Sequence, residues 1–146
     1  MLIAVDNCAL LKIFTMTGYS ETPLIKKLGI KEEMKILLMN APKDYMKILE
    51  YNITKQLVNK ISDADFAHVF VISKEELKKS FMKIISEAKN NLIVWISWYK
   101  KSSGIATDVT EDVIREIVLP TGWVDVKVCA VSDVWSGLKI VKRKNR

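Results

Sequence analysis

Three continuous apolar runs limit what this chain can fold into more than any other feature. Met34 to Met39 is apolar except for Lys35, Phe66 to Ile72 reads F-A-H-V-F-V-I, and Leu92 to Trp98 reads L-I-V-W-I-S-W. Their length suits strands, and the lack of polar alternation suits strands covered on both faces, as in a parallel sheet. Helical patterns stand between them. Thr22-Pro23 predicts a helix start, with a capping hydroxyl and proline at the first helical position, and Gly29 predicts its end. Lys43 to Glu50 predicts a short helix with Tyr45, Met46, Ile48 and Leu49 inward. Ser73 opens S-K-E-E, a capping box closed by Glu76, and Leu77, Phe81, Ile84, Ile85 and Ala88 follow at helical spacing. Thr107 or Thr110 caps a further helix carrying Val109, Val113, Ile114, Ile117 and Val118, which Pro120 and Gly122 end.

A short strand is also expected over Leu57 to Ile61. Trp123 to Val131 and Trp135 to Lys142 follow, joined by S-D-V, a connection short enough for an antiparallel hairpin. The pattern predicts a three-layer α/β domain, Rossmann-like in plan, with a mostly parallel sheet of about six strands and a C-terminal antiparallel hairpin.

The chain has 146 residues, enough for one core without disulfides or metals. Cys8 and Cys129 form no motif, which points to reduced thiols and a cytoplasmic setting. His68 has no second histidine or paired cysteines beside it, so no metal site is expected. Mid-strand, it is expected to be a packed imidazole rather than a base. The apolar start, residues 1–15, lacks a basic region and a cleavage site, and it is too short to span a bilayer. Met16 precedes Thr17-Gly18-Tyr19-Ser20, so the functional domain is expected over residues 16–146, with 1–15 as an extension.

The net charge is +6, of which the last eight residues, K-I-V-K-R-K-N-R, supply five cations and no acid. Such a tail can meet nucleic acid or another anionic surface. No aromatic-basic platform accompanies it, which favours a solubilising end over a nucleic-acid site.

In open α/β sheets, ligands bind beyond the carboxyl ends of the strands, where strand order reverses. The first strand is expected beside that point. The rule selects Asn40 to Asp44, Ser73-Lys74 and Ser97 to Asp108. In W-Y-K-K-S-S-G-I-A-T-D, Lys100 and Lys101 supply positive charge, and Ser102, Ser103 and Gly104 supply donors and flexibility. Thr107 and Thr110 lead into a helix N-terminus, which favours anions, and Asp108 between them is a further candidate. Asn40, Pro42, Ser97 and Trp98 complete the candidate site. The order G-x-x-x-x-G-K of a phosphate-binding loop is absent.

The closing hairpin resembles the end of S-adenosylmethionine-dependent methyltransferases, where the last strand inserts into the sheet edge beside its predecessor. The chain would be a shortened form of that plan, one strand–helix unit missing. That resemblance implies a glycine-rich turn after the first strand, under the amino acid part of the cofactor, and a ribose-gripping carboxylate near the end of the next strand. Asn40-Ala41-Pro42 stands where the glycines would be, with a methyl group at Ala41 and no N–H at Pro42. Pro42 also suits the first position of the following helix. Asp63 and Asp65 lie near the place of the carboxylate, in an ordinary turn.

Longer segments resemble the bacterial and archaeal family designated domain of unknown function 3052. They are G-Y-S-E-T-P-L-I-K-K-L-G-I-K (Gly18 to Lys31), L-M-N-A-P (Leu38 to Pro42), W-I-S-W-Y-K-K-S-S-G-I-A-T-D-V-T-E-D-V-I-R-E (Trp95 to Glu116) and V-D-V-K-V-C-A-V-S-D-V-W-S-G-L-K (Val124 to Lys139). The resemblance implies that N-A-P is the family's ordinary turn and that K-K-S-S-G and W-S-G belong to its signature. It implies no activity. Trp123 stands where that family would have an aliphatic residue.

The expected function is a non-catalytic or ligand-sensing domain that binds a small anion or a protein partner between Asn40–Asp44 and Lys100–Asp108, with no membrane contact. The alternative is an S-adenosylmethionine-dependent transferase with an atypical cofactor turn.

Overall fold

The computed structural model describes residues 22–144. The expected boundary at Met16 and the residues 1–15 fall outside them. The elements are α1 (Leu24–Leu28), β1 (Ile36–Met39), α2 (Tyr45–Leu49), β2 (Phe66–Phe70), α3 (Lys74–Glu87), β3 (Ile93–Tyr99), α4 (Glu111–Val118), β4 (Trp123–Ala130) and β5 (Trp135–Lys142). Among the described residues they form one sheet of five strands, in the order β1-β2-β3-β5-β4.

The three apolar runs are β1, β2 and β3, paired in parallel, with Ile36 opposite Phe66 and Phe66 opposite Ile93. The hairpin forms as the short connection predicts: Ser132 Oγ accepts from the backbone N–H groups of Val134 and Trp135. Its second strand, β5, pairs antiparallel with both β3 and β4. Two ladders are therefore parallel and two antiparallel, so the sheet is mixed rather than mostly parallel.

The segment Leu57 to Ile61 does not form the expected strand. Leu57 makes a single bridge to Ile36, between the one-turn 3-10 segments Thr54–Gln56 and Ile61–Asp63. Leu57, Asn59 and Lys60 face solvent and Ile61 is buried, so the segment lacks the period-2 burial that would seat it as a strand. The first helix also starts later than expected. Pro23 is its cap residue, and the Pro23 carbonyl accepts from the N–H groups of Lys26 and Lys27.

Alternation along β2 and β3 divides the core into two layers. Ala67, Val69, Val94, Ile96 and Trp98 face α3 and α4, packing on Leu77, Phe81, Ile84, Ile114 and Val118. Phe66, Phe70 and Trp95 face α1 and α2, packing on Leu28, Tyr45 and Leu49. This is the three-layer arrangement that the buried runs predict. Trp95 Nε1 donates to the Leu28 carbonyl at 2.9 Å, so the sheet also satisfies an end group of α1.

Among the described residues, strand order differs from one expectation. β1 is at the sheet edge, and the parallel strands run outward from it in one direction. Among the described residues no strand lies beyond β1, so strand order does not reverse beside it. The crevice expected there has one wall among the described residues.

Candidate functional site

The carboxyl ends of β1, β2 and β3 carry the three segments that the sequence selects, and the local chemistry of each differs. After β1, Asn40 turns the chain through the left-handed region at φ 57°, a conformation asparagine tolerates better than most residues. The Pro42 carbonyl accepts from Tyr45 N–H at 3.1 Å, and Asp44 is the cap residue of α2. Pro42 therefore begins a turn ahead of the helix instead of filling its first position. The helix it leads to has only five residues.

After β2, Ser73 caps α3 as expected, accepting from Glu76 N–H at 3.1 Å. Glu76 returns to Ile72 N–H at 2.8 Å rather than to Ser73. Two residues on, Lys74 N–H donates to Asp108 Oδ1 at 2.8 Å. Thr107 Oγ1 donates to the Ile72 carbonyl at 2.8 Å and accepts from Val109 N–H. Thr107 and Asp108 thus tie the β3–α4 loop onto the start of α3, and a carboxylate of the chain itself already lies where that N-terminus would draw an anion. Thr110, not Thr107, is the cap of α4, accepting from Val113 N–H.

After β3, Lys100 N–H donates to the Val134 carbonyl, and Lys101–Ser103 form one 3-10 turn closed by Gly104. Ser103 Oγ donates to the Lys100 carbonyl at 2.6 Å and accepts from Ile105 N–H, so its hydroxyl serves the turn. Beside this turn lies an open groove of about 490 Å³. Trp98, Tyr99, Lys101, Gly104 and Thr107 line it, with Glu111 at the start of α4. Tyr99 is stacked on Trp135 with ring centroids 4.3 Å apart.

Of the residues chosen from sequence, Trp98, Lys101, Gly104 and Thr107 meet in this groove. Lys100, Ser102, Ser103 and Asp108 belong to the same loop without lining it. Asn40 and Pro42 sit at the end of β1, with β2 between them and β3. Ser97 is fully buried. Its hydroxyl lies 2.7 Å from His68 Nε2, and His68 Nδ1 lies 2.9 Å from the Tyr45 hydroxyl.

This Tyr45–His68–Ser97 chain is inside the α1/α2 layer, away from solvent. Burial drives the His68 pKa down to about 3 and pushes the Tyr45 phenol up, so both groups are neutral across the physiological range. His68 is the packed imidazole that the sequence suggests. Its partners were not visible there, because only register places Ser97 beside it; the available signal was that His68 and Ser97 are the lone polar residues of their strands.

The proposed ribose carboxylates fare differently. Asp65 precedes β2, at the opposite pole of the sheet from the groove. It accepts from Lys35 N–H and pairs with Lys89 at 2.9 Å, contacts that hold its carboxyl below the usual range. Cys129 is half-buried, and burial pushes its thiol up, away from the reactive thiolate. Among the described residues no cluster of three His, Cys, Asp or Glu side chains is placed to hold a metal ion. None of the helices there is long and apolar enough to cross a membrane.

No family model matches the sequence, and no curated protein matches it either; the motifs likened to domain of unknown function 3052 have no such support. Solved structures do match. A Sulfolobus solfataricus protein assigned to the type 11 methyltransferases aligns with TM-score 0.53 and 13% identity, over 76% of this chain and 86% of its own. A protein of the NADB-Rossmann superfamily from Streptococcus agalactiae aligns with TM-score 0.51 and 9% identity, over 88% of this chain and 72% of its own. The ribosomal protein L11 methylase of Lactobacillus delbrueckii subsp. bulgaricus aligns with TM-score 0.50 and 12% identity, over 83% and 76%. At these identities the similarity is one of fold: the chain has a Rossmann-like, methyltransferase-like α/β architecture.

Proposed function

We propose that this chain is a non-catalytic ligand-binding domain on a methyltransferase-like fold, taking a small anionic ligand in the groove at the end of β3. One observation carries the reading: Asp108 and Thr107 strap the β3–α4 loop over the start of α3, and beside that loop an open groove remains. There Trp98 and Tyr99 offer apolar wall and Lys101 offers the charge. A cation beside aromatic surface suits a ligand with a flat body and one acidic group.

The residues after β1 do not fit S-adenosylmethionine. Pro42 has no N–H to donate, Ala41 adds a methyl group, and Asp44 sets a carboxylate at the helix entry, where the cofactor's own carboxylate would lie. Asp65 is committed to Lys35 and Lys89. Titration with small organic acids, followed by tryptophan fluorescence, tests the proposal. Binding is expected to perturb Trp98 emission and to weaken at least tenfold in Lys101→Gln; an unchanged response in that variant refutes it.

A second reading, an S-adenosylmethionine-dependent transferase with an atypical turn, is favoured by the fold similarity to the Sulfolobus protein and the L11 methylase. Isothermal titration with S-adenosylmethionine and S-adenosylhomocysteine separates the two. Saturable heat in the micromolar range supports the transferase; none at millimolar ligand leaves the non-catalytic reading.

A further inference from the structure

The pole opposite that groove carries a second concavity of different chemistry. β5 runs antiparallel to β3, so its basic end arrives at the start of β3, against the Asn90-Asn91 turn that follows α3. Between them lies an open groove of about 1030 Å³, lined by Asn90, Asn91, Lys142, Arg143 and Lys144 over an apolar floor that includes Val141. Among the described residues no carboxylate lines it.

These cations are not a loose tail. Lys142 is the last residue of β5, and its Nζ donates to Asn90 Oδ1 at 3.1 Å. Arg143 N–H donates to the Gly122 carbonyl at 2.8 Å, pinning the backbone beyond the strand. Among the described residues Arg143 and Lys144 have no acidic partner, whereas the nearby Lys89 is taken by Asp65 and Arg115 by Glu111 and Asp125. The result is a concave surface of three positive charges, one of them held by an amide, and two amide side chains, the groups that contact sugar–phosphate backbones.

We propose that this groove binds the phosphodiester backbone of single-stranded nucleic acid. The volume is at the upper end of the ~300–1,000 Å³ typical of small-ligand sites, so a lone phosphate would leave most of it empty. Three cations in one short groove suit a few successive phosphates of one strand better than the long footprint of a duplex. Trp123, the nearest large aromatic in sequence, is buried at 2% exposure and offers no stacking face. Binding is therefore by backbone charge and indifferent to base identity. The missing aromatic platform, which argues against nucleic acid at the sequence level, excludes stacking but not this mode.

Anisotropy of a short labelled oligothymidylate tests it on the full chain. Expected is binding whose log affinity falls with log salt at a slope of about −2, from ~0.7 per neutralised phosphate on single strands. Replacing Lys142, Arg143 and Lys144 together by Gln should weaken it more than tenfold. Removing equal charge from α3, with Lys78→Gln, Lys79→Gln and Lys83→Gln, should leave it unchanged. If the first variant melts early, the exposed pair Arg143→Gln/Lys144→Gln serves in its place, with a loss of several-fold. Salt-independent binding, equal loss in the α3 variant, or no binding overturns the proposal. So does tripolyphosphate competing at equal phosphate concentration, which would mark a small-polyphosphate site, or tighter binding of a duplex of the same length.

Discussion

At the scale of single residues, the buried Tyr45–His68–Ser97 chain ties α2 to β2 and β3. His68 ordinarily takes a proton near pH 6.5, but in the fold only near 3. Between those values the unfolded chain holds the extra proton, so acid favours unfolding. The contribution is complete above about pH 6.5 and is lost progressively as pH falls towards 3. Denaturant midpoints measured from pH 7 to pH 4 should fall in the native protein, and fall less in His68→Leu. That variant also strands two buried hydroxyls, at about 1–3 kcal/mol each. Gly137 shows the opposite constraint, a lack of room. A Cβ there would come within 2.9 Å of Val131 Cγ2 and 3.1 Å of the Trp95 ring, which its bond to Leu28 holds in place. Gly137→Ala should cost about 1–3 kcal/mol, read as a lower denaturant midpoint with an unchanged slope. The sequence displayed His68 as the polar exception within an apolar run, but its partners come from α2 and β3, and register is not written locally.

At the scale of elements, the sequence specified best what depends on neighbours within a few residues. Ser73 and Thr110 cap the helices that follow them, and Gly29 ends α1 at φ 81°. Continuous burial identified β1 to β3 for the same reason: each run carries its own pattern. Pro42 misled, because its fixed φ suits a turn as well as a helix start and only the five-residue length of α2 decides between them. Asp108 was legible as a polar residue near a helix N-terminus, but not as the partner of a different helix. Its bond to Lys74 N–H spans 34 positions. That bond should behave as a strap on the loop rather than a support of the core. In Asp108→Ala, amide exchange at Lys74 and proteolysis within residues 100–110 should both accelerate, while exchange in β2 and β3 stays at its native rate. Equal acceleration in the strands would mean that the loop and the sheet open as one unit.

At the scale of the whole molecule, the last strand in sequence is interior in space. β5 fills the gap between β3 and β4 and makes both antiparallel ladders. Without it β4 has no partner among the described strands, and Leu138 and Ile140, both fully buried, leave the layer under α4. β4 then forms an edge whose defences are local: a bulge between Asp125 and Lys127 bends it, and Lys127 puts charge on it beside the exposed Val126 and Val128. Those devices suit a strand held from one side by β5, not a free one. The sheet therefore cannot close until β5 is in place, a long-range pairing of the kind that slows folding. A chain ending at Ser132 keeps β1 to β3 and all four helices, yet it should show no cooperative urea transition and little dispersion in amide spectra. Adding a synthetic peptide spanning residues 133–144 should restore dispersion in proportion to peptide bound. A cooperative transition in the shortened chain alone would place the stable nucleus in the parallel strands and their helices, and make β5 an addition to a sheet already formed.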